Sequence, residues 1–191
     1  FQIKTYLCFF NIEHMKSNKN LVLVGNMGSG KSVIGYLLSK NLNIEFMDVD
    51  ENIEKEEGCK ISEIFEKKGE IEFRKIEHTS LKELLNSKEK FIISLGGGTP
   101  CYSNNMKLIV ENSKKVFFIN TPNNILAKRL FYEKKKRPLV SSINSIKDML
   151  EYVSKNLFER FPFYNQAHYK INVNEKSISE ISKEIIEKIN L

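Results

Sequence analysis

Apolar residues fall along the chain in two alternating rhythms. Short, nearly unbroken apolar runs at Leu21–Val24 (LVLV), 91–95 (FIISL) and 114–120 (KKVFFIN) read as buried strands, with two more at 43–50 (NIEFMDVD) and 168–173 (HYKINV). Between these runs apolar positions recur every three or four residues, as at Ile71, Ile76, Leu81, Leu84 and Leu85, the spacing that lines one face of a helix. The pattern predicts helices over 32–40, 51–58, 61–69, 70–87, 103–112, 121–132, 146–161 and 177–189. Asp50 is expected to cap the helix that stops at Gly58, Ser62 the next, and Thr121 the one that opens on Pro122. The polar, basic stretch 133–145 (EKKKRPLVSSINS), broken by Pro138, reads as a mobile loop.

Strands alternating with helices at this spacing build βαβ units, so the expected fold is α/β: three layers, αβα, around a five-stranded parallel sheet. A chain of 191 residues, 41% apolar and 28% charged, suits one domain with a sizeable core, expected over 20–191. Residues 1–19 read as an N-terminal extension, disordered or non-native; the patch Tyr6–Phe10 lacks the flanks of a secretory leader. No run reaches the roughly 18 apolar residues of a membrane span. Cys8, Cys59 and Cys101 are too scattered for a metal site and read as free thiols of a cytoplasmic protein. The net charge of +6 is spread along the chain, apart from 134–137, and has few interleaved aromatics, so neither nucleic acid nor membrane is expected as a partner.

One bias in composition sharpens the search for chemistry. Of 30 basic residues only Arg74, Arg129, Arg137 and Arg160 are arginines, and of 24 acidic residues only Asp48, Asp50 and Asp148 are aspartates. In such a Lys- and Glu-rich background these positions are candidates for a geometric need, since a guanidinium offers a planar fork that an ammonium lacks.

The segment Gly25-Asn-Met-Gly28-Ser29-Gly30-Lys31-Ser32 follows a predicted strand and opens a predicted helix. This is the phosphate-loop pattern: its backbone N–H groups and the helix N-terminus cradle phosphates, Lys31 reaches the β- and γ-phosphates, and the Ser32 hydroxyl serves Mg²⁺. The expected ligand is therefore a nucleoside triphosphate. Asp48 and Asp50, two apart at a strand end, would share one face, one carboxylate near the metal and the other orienting an acceptor hydroxyl. Gly96, Gly97 and Gly98 close the third strand and permit close backbone approach to a ligand. Arg137 lies in the loop, where a closing lid needs a cation for transferring phosphate. Plainer readings stay open: Asp50 as a helix cap, the glycines as a tight turn, Arg74 as a solvated helix residue and Arg160 as a helix-end cation.

Taken in order, GxMGxGKS, FMDVD, FRKIE, a strand ending in GGG, RPL and ERxPxY resemble the shikimate kinase family from about Asn20 to the C-terminus. The resemblance implies a nucleoside-monophosphate-kinase-like P-loop fold with a lid, and transfer of phosphate from ATP to the 3-hydroxyl of shikimate. It implies that residues 28 to 33, Gly28 through Val33, hold the ATP phosphates, that Arg129 packs on the adenine, and that Ser32 and Asp48 serve Mg²⁺, Asp48 through water. Asp50 would be the base, with Lys31 and Arg137 stabilising the moving charge. Arg74 and Arg160 would clamp the shikimate carboxylate, Glu77 would hold Arg74, Gly97 would donate its N–H, and Phe65 and Phe73 would wall the pocket. A monomer whose partners are shikimate and ATP is expected. His168 stands where the family usually has an acidic residue, and reads as variation at a strand start. Two other functions remain: a kinase for another small acceptor, such as gluconate or a nucleoside monophosphate, and a catalytically silent nucleotide-binding relative.

Overall fold

The structure, a computed structural model, describes residues 20–190; the expected N-terminal extension lies outside the described residues. Five strands form one parallel sheet: β1 (Leu21–Val24), β2 (Glu45–Asp48), β3 (Phe91–Ser94), β4 (Lys115–Asn120) and β5 (Tyr169–Asn172), in the order β2-β3-β1-β4-β5. Register is set by pairs such as Val22↔Ile93 and Val22↔Val116. The helices are α1 (Lys31–Leu42), α2 (Val49–Glu57), α3 (Ile61–Asn86), α4 (Asn105–Asn112), α5 (Asn123–Glu133), α6 (Ile146–Tyr164) and α7 (Ile178–Ile189).

The alternation of a strand sends neighbouring side chains to opposite faces, and β1 feeds both layers. Leu21 and Leu23 pack with Ile34 and Leu38 of α1 and Ile181 and Ile185 of α7. Val22 and Val24 pack on the other side with Ile53 of α2, Phe73 and Leu81 of α3, Ile109 of α4 and Tyr164 of α6. A third cluster, Leu126 and Leu130 of α5 with Met149 and Val153 of α6, also buries Val140 from the segment between them. Asn20 ties the start of the sheet to α3: its side chain donates to Leu84 O (3.0 Å) and accepts from Phe91 N (2.9 Å).

Several boundaries differ from the expectation. Asp48, not Asp50, caps α2: its Oδ1 accepts the Asp50 N–H at 3.1 Å, so the helix begins at Val49 and Asp50 sits in its first turn. The two aspartates therefore do not share a face of an extended strand, and a cap geometry aligns them instead. Lys60, not Ser62, occupies the N-cap of α3, where Glu63 reaches back to the Lys60 N–H. Pro122, not Thr121, is the cap position before α5. The expected break at Gly69 is present as a residue at φ 78° inside α3. Helix α6 runs past Pro162 to Tyr164. The loop after α5 contains two 3₁₀ turns, Lys134–Lys136 and Pro138–Val140, because buried Val140 pins its far end.

Candidate active site

The strands' carboxyl ends converge on one cavity of about 650 Å³, where a parallel α/β sheet places its ligands. Gly28, Gly30, Lys31, Ser32, Val33, Asp48, Asp50, Phe65, Phe73, Arg74, Glu77, Gly96, Gly97, Gly98, Arg129, Arg137 and Arg160 all line it. Of the residues expected from sequence only Ser29 does not. It lies buried in the loop, and its Oγ is without a partner among the described residues.

The loop between β1 and α1 has the conformation its glycines allow. Gly28 and Gly30 sit at φ 79° and 97°, in the left-handed region that other residues enter at a cost. Gly30 then caps α1, aiming the free N–H groups of its first turn at the cavity. Lys31 is folded against the loop, its Nζ donating to Gly25 O (2.8 Å) and Asn26 O (3.0 Å). Arg129 donates to Gly28 O at 3.2 Å, bracing the same loop from α5. The Ser32 hydroxyl donates to Asp48 Oδ2 at 2.8 Å. This pair of hard oxygens fits a small divalent cation such as Mg²⁺. Arg137 pairs with Glu133 at 2.9 Å, and its buried Nε has no partner among the described residues.

At the other end, Arg74 Nη1 bonds Glu77 Oε2 at 2.7 Å, and the second Glu77 oxygen accepts from Thr99 Oγ1 at 2.6 Å. Glu77 is 1% exposed, so the carboxylate end of this ion pair is buried in the cavity wall. Phe65 and Phe73 stand beside it, ring centroids 4.4 Å apart. Arg160 reaches Asn26 Oδ1 at 3.5 Å, and the buried Tyr164 hydroxyl donates to Gly97 O at 2.5 Å. Three consecutive glycines touch the three central groups in turn. A Cβ on Gly96 would stand 2.7 Å from Asp50 Oδ1, one on Gly97 3.1 Å from Arg160 Nη1, and one on Gly98 3.1 Å from Arg74 Nη2. Gly96→Ala is therefore expected to displace the Asp50 carboxylate and also to press on the buried Thr99 hydroxyl, 2.9 Å from the new Cβ. Its kcat should fall on the order of 100-fold, read by ADP release, with a lowered melting temperature.

Burial pushes the Asp50 carboxyl up to about 6, reinforced by Asp48 and Glu77. Burial also draws the Lys31 ammonium down to about 8, against the pull of Asp48 and Asp50. Folding thus tightens proton binding at Asp50, whose ordinary value is 3.8, and loosens it at Lys31, ordinarily 10.5. The Asp50 contribution to stability is present at low pH and is lost as pH rises through about 6. The Lys31 contribution is unfavourable at neutral pH and recovers as pH rises from about 8 toward 10.5. In ligand-free protein at pH 7.5, Asp50→Asn should accordingly gain about 2 kcal/mol, and the gain should vanish near pH 4. Thermal melts across that range test this.

Sequence reasoning missed Asn26, Thr99 and Tyr102. The first two are buried polar residues whose partners are far away in sequence, and the Tyr102 ring stacks on the Arg74 guanidinium. Tyr164 was visible only as the last letter of ERxPxY. Cys101, its thiol pushed up to about 11 by burial, stays protonated and inert at neutral pH. His168 directly precedes β5 and does not line the cavity.

A parallel sheet in this order, with a phosphate loop after its first strand and a deep acceptor pocket facing it, defines a P-loop kinase of small molecules. Comparison with known proteins narrows the class. The family model described as shikimate kinase matches residues 27–190. A shikimate kinase of Flavobacterium johnsoniae is 43% identical over 169 residues, 88% of this chain and 98% of that one. One from Aquifex aeolicus is 42% identical over 87% of this chain and 93% of that one. The crystal structure of the Acinetobacter baumannii shikimate kinase in complex with shikimate superposes with a TM-score of 0.83 at 32% identity, covering 93% of this chain and 96% of that one. The chain belongs to the shikimate kinase family. A gluconokinase of Sinorhizobium meliloti, at 18% identity and a TM-score of 0.58, shares the fold alone.

Proposed function

We propose that the chain transfers the γ-phosphoryl group of ATP to the 3-hydroxyl of shikimate, giving shikimate 3-phosphate and ADP. The observation that carries this reading is the row of glycines against Asp50, Arg160 and Arg74, which sets one carboxylate beside two guanidinium groups opposite the phosphate loop. Two forks suit the single planar carboxylate of a hydroxy acid. Gluconate carries the same single carboxylate, so the two guanidinium groups alone do not reject it; the family match over residues 27–190 favours shikimate. The intact Lys31, Ser32, Asp48, Asp50 and Arg137 weigh against a silent relative.

The roles follow from chemistry. The N–H groups of residues 28 to 33 hold the phosphates, and Lys31 leaves its two carbonyls to meet the β- and γ-phosphates. Ser32 and, through water, Asp48 would hold Mg²⁺, which when bound supplies charge neutralisation at those phosphates. Arg137, with an unpartnered Nε, turns from Glu133 to the transferring group as the lid closes, and Arg129 packs on the adenine. Arg74 and Arg160 fix the acceptor carboxylate, with the Gly97 N–H as a further donor. Asp50 accepts the hydrogen bond of the 3-hydroxyl and takes its proton as the oxygen attacks phosphorus. Ile178 lines the cavity, which brings the start of α7 to the side where the adenine would lie. We read residues 20–191 as one domain acting as a monomer in the cytoplasm; the free thiols Cys59 and Cys101 fit a reducing compartment. No helix among the described residues is long and apolar enough to cross a membrane.

The test is coupled ADP release with ATP and Mg²⁺, with and without shikimate, gluconate or a nucleoside monophosphate. ADP release should require shikimate. Turnover stimulated by gluconate or a nucleotide instead would keep the fold and overturn the substrate.

A further inference from the structure

We infer that Tyr102 is a positioning residue for acceptor binding, its ring holding the Arg74 guanidinium so that the free edge faces the acceptor's carboxylate. The inference rests on the reading that Arg74 clamps that carboxylate. The guanidinium carbon lies 3.9 Å from the Tyr102 ring centroid, against 5.1 Å for Phe73 and 6.0 Å for Phe65. Only the first is at face-stacking distance, and a cation over an aromatic face is attracted by the ring quadrupole.

Arg74 needs such a hold. Its one short bond is Nη1 to Glu77. The contact of Nη2 to the exposed Glu70 is long, 3.4 Å, and buried Nε has no partner among the described residues. A fork anchored along one edge still swings about that anchor. A ring stacked on its face removes the swing without occupying any N–H, so the remaining donors stay available to a ligand.

Tyr102 is itself held in place at some cost. The next two residues, Ser103 and Asn104, both adopt left-handed backbone at φ 50° and 57°. Two consecutive non-glycine residues there store strain that the surroundings must over-determine. They are fixed by the Asn105 N–H donating to Tyr102 O at 2.8 Å. The fully buried Asn105 side chain donates to Thr99 O at 2.8 Å, which leaves its Oδ1 to accept from His78 Nδ1 at 2.6 Å. Thr99 in turn bonds Glu77. One polar network thus secures both the carboxylate that anchors Arg74 and the turn that carries the ring. With Tyr102 40% exposed, core filling does not account for this arrangement.

The test compares KM for shikimate, KM for ATP, kcat and melting temperature in Tyr102→Ala, Tyr102→Phe, Tyr102→Leu and Arg74→Lys. Tyr102→Ala should raise KM for shikimate about 3–10-fold, leaving kcat, KM for ATP and melting temperature unchanged. Tyr102→Phe should restore the wild-type value. Tyr102→Leu, of comparable bulk without a π face, should not. An unchanged KM in Tyr102→Ala, full rescue by Leu, or a uniform loss in every parameter would overturn the role of the ring. If Arg74→Lys leaves KM for shikimate unchanged, the carboxylate clamp fails as well; if Arg74→Lys raises it while Tyr102→Ala is silent, the inference alone fails.

Discussion

Asp50→Asn is expected to fold, bind both substrates and lose at least about 100-fold in kcat, the range a positioned general base contributes. The amide oxygen still accepts a hydrogen bond from the acceptor hydroxyl, so KM for shikimate should change little. It cannot take the proton, however, and the attacking oxygen then carries it into the transition state. The same substitution is expected to stabilise the ligand-free protein, because the wild-type carboxylate is held in a site whose burial opposes its charge. Loss of turnover with gain of melting temperature is hard to attribute to damaged folding. A variant retaining more than a tenth of wild-type kcat would remove Asp50 from the base role and leave proton transfer to water.

Glu77→Ala should be the most destabilising substitution in the site. Glu77 is 1% exposed and satisfies both Arg74 and Thr99. Its removal leaves a guanidinium without its short ion pair and a buried hydroxyl without an acceptor. Breaking one partner of a buried pair costs about 3–5 kcal/mol, a large part of the roughly 5–15 kcal/mol that holds a domain together. Glu77→Gln keeps the shape and one acceptor, so it should cost less in urea midpoint while still raising KM for shikimate through a loosened Arg74. Equal midpoints for Glu77→Ala and wild type would mean that water replaces the carboxylate without penalty, and would contradict the closed arrangement described above.

The sheet and the phosphate loop were legible because their signals are local. An apolar run followed by glycines, Lys31 and Ser32 needs no distant partner to be read, and in a Lys-rich chain all four arginines stood out, each of them now on the cavity wall. Local competition decided what was misread. Both Asp48 and Asp50 can cap a helix, and the choice of Asp48 follows from its extended φ of −94° and ψ of 121°, which sequence does not encode by itself. Ser62 gave way to Lys60 because the Glu63 carboxylate satisfied the backbone one turn earlier. Tyr102 and Asn105 were silent for another reason: their partners, Arg74 and His78, are 27 or more positions away and meet them only once α3 packs against α4 and the turn that follows β3.

The hydrogen bond between Ser32 and Asp48 has a further consequence. Strand β2 is the sheet's edge and pairs only with β3, while Ser32 opens the helix that follows central β1. The bond therefore staples the periphery to the middle across the end of β3, and through Asp48 it also sets where α2 begins. Any nucleotide complex that engages Ser32 then draws on the same carboxylate that holds the Asp50 backbone in register. Linkage between binding equilibria is reciprocal, so whatever factor bound nucleotide applies to acceptor affinity through this bond, bound acceptor must apply to nucleotide affinity.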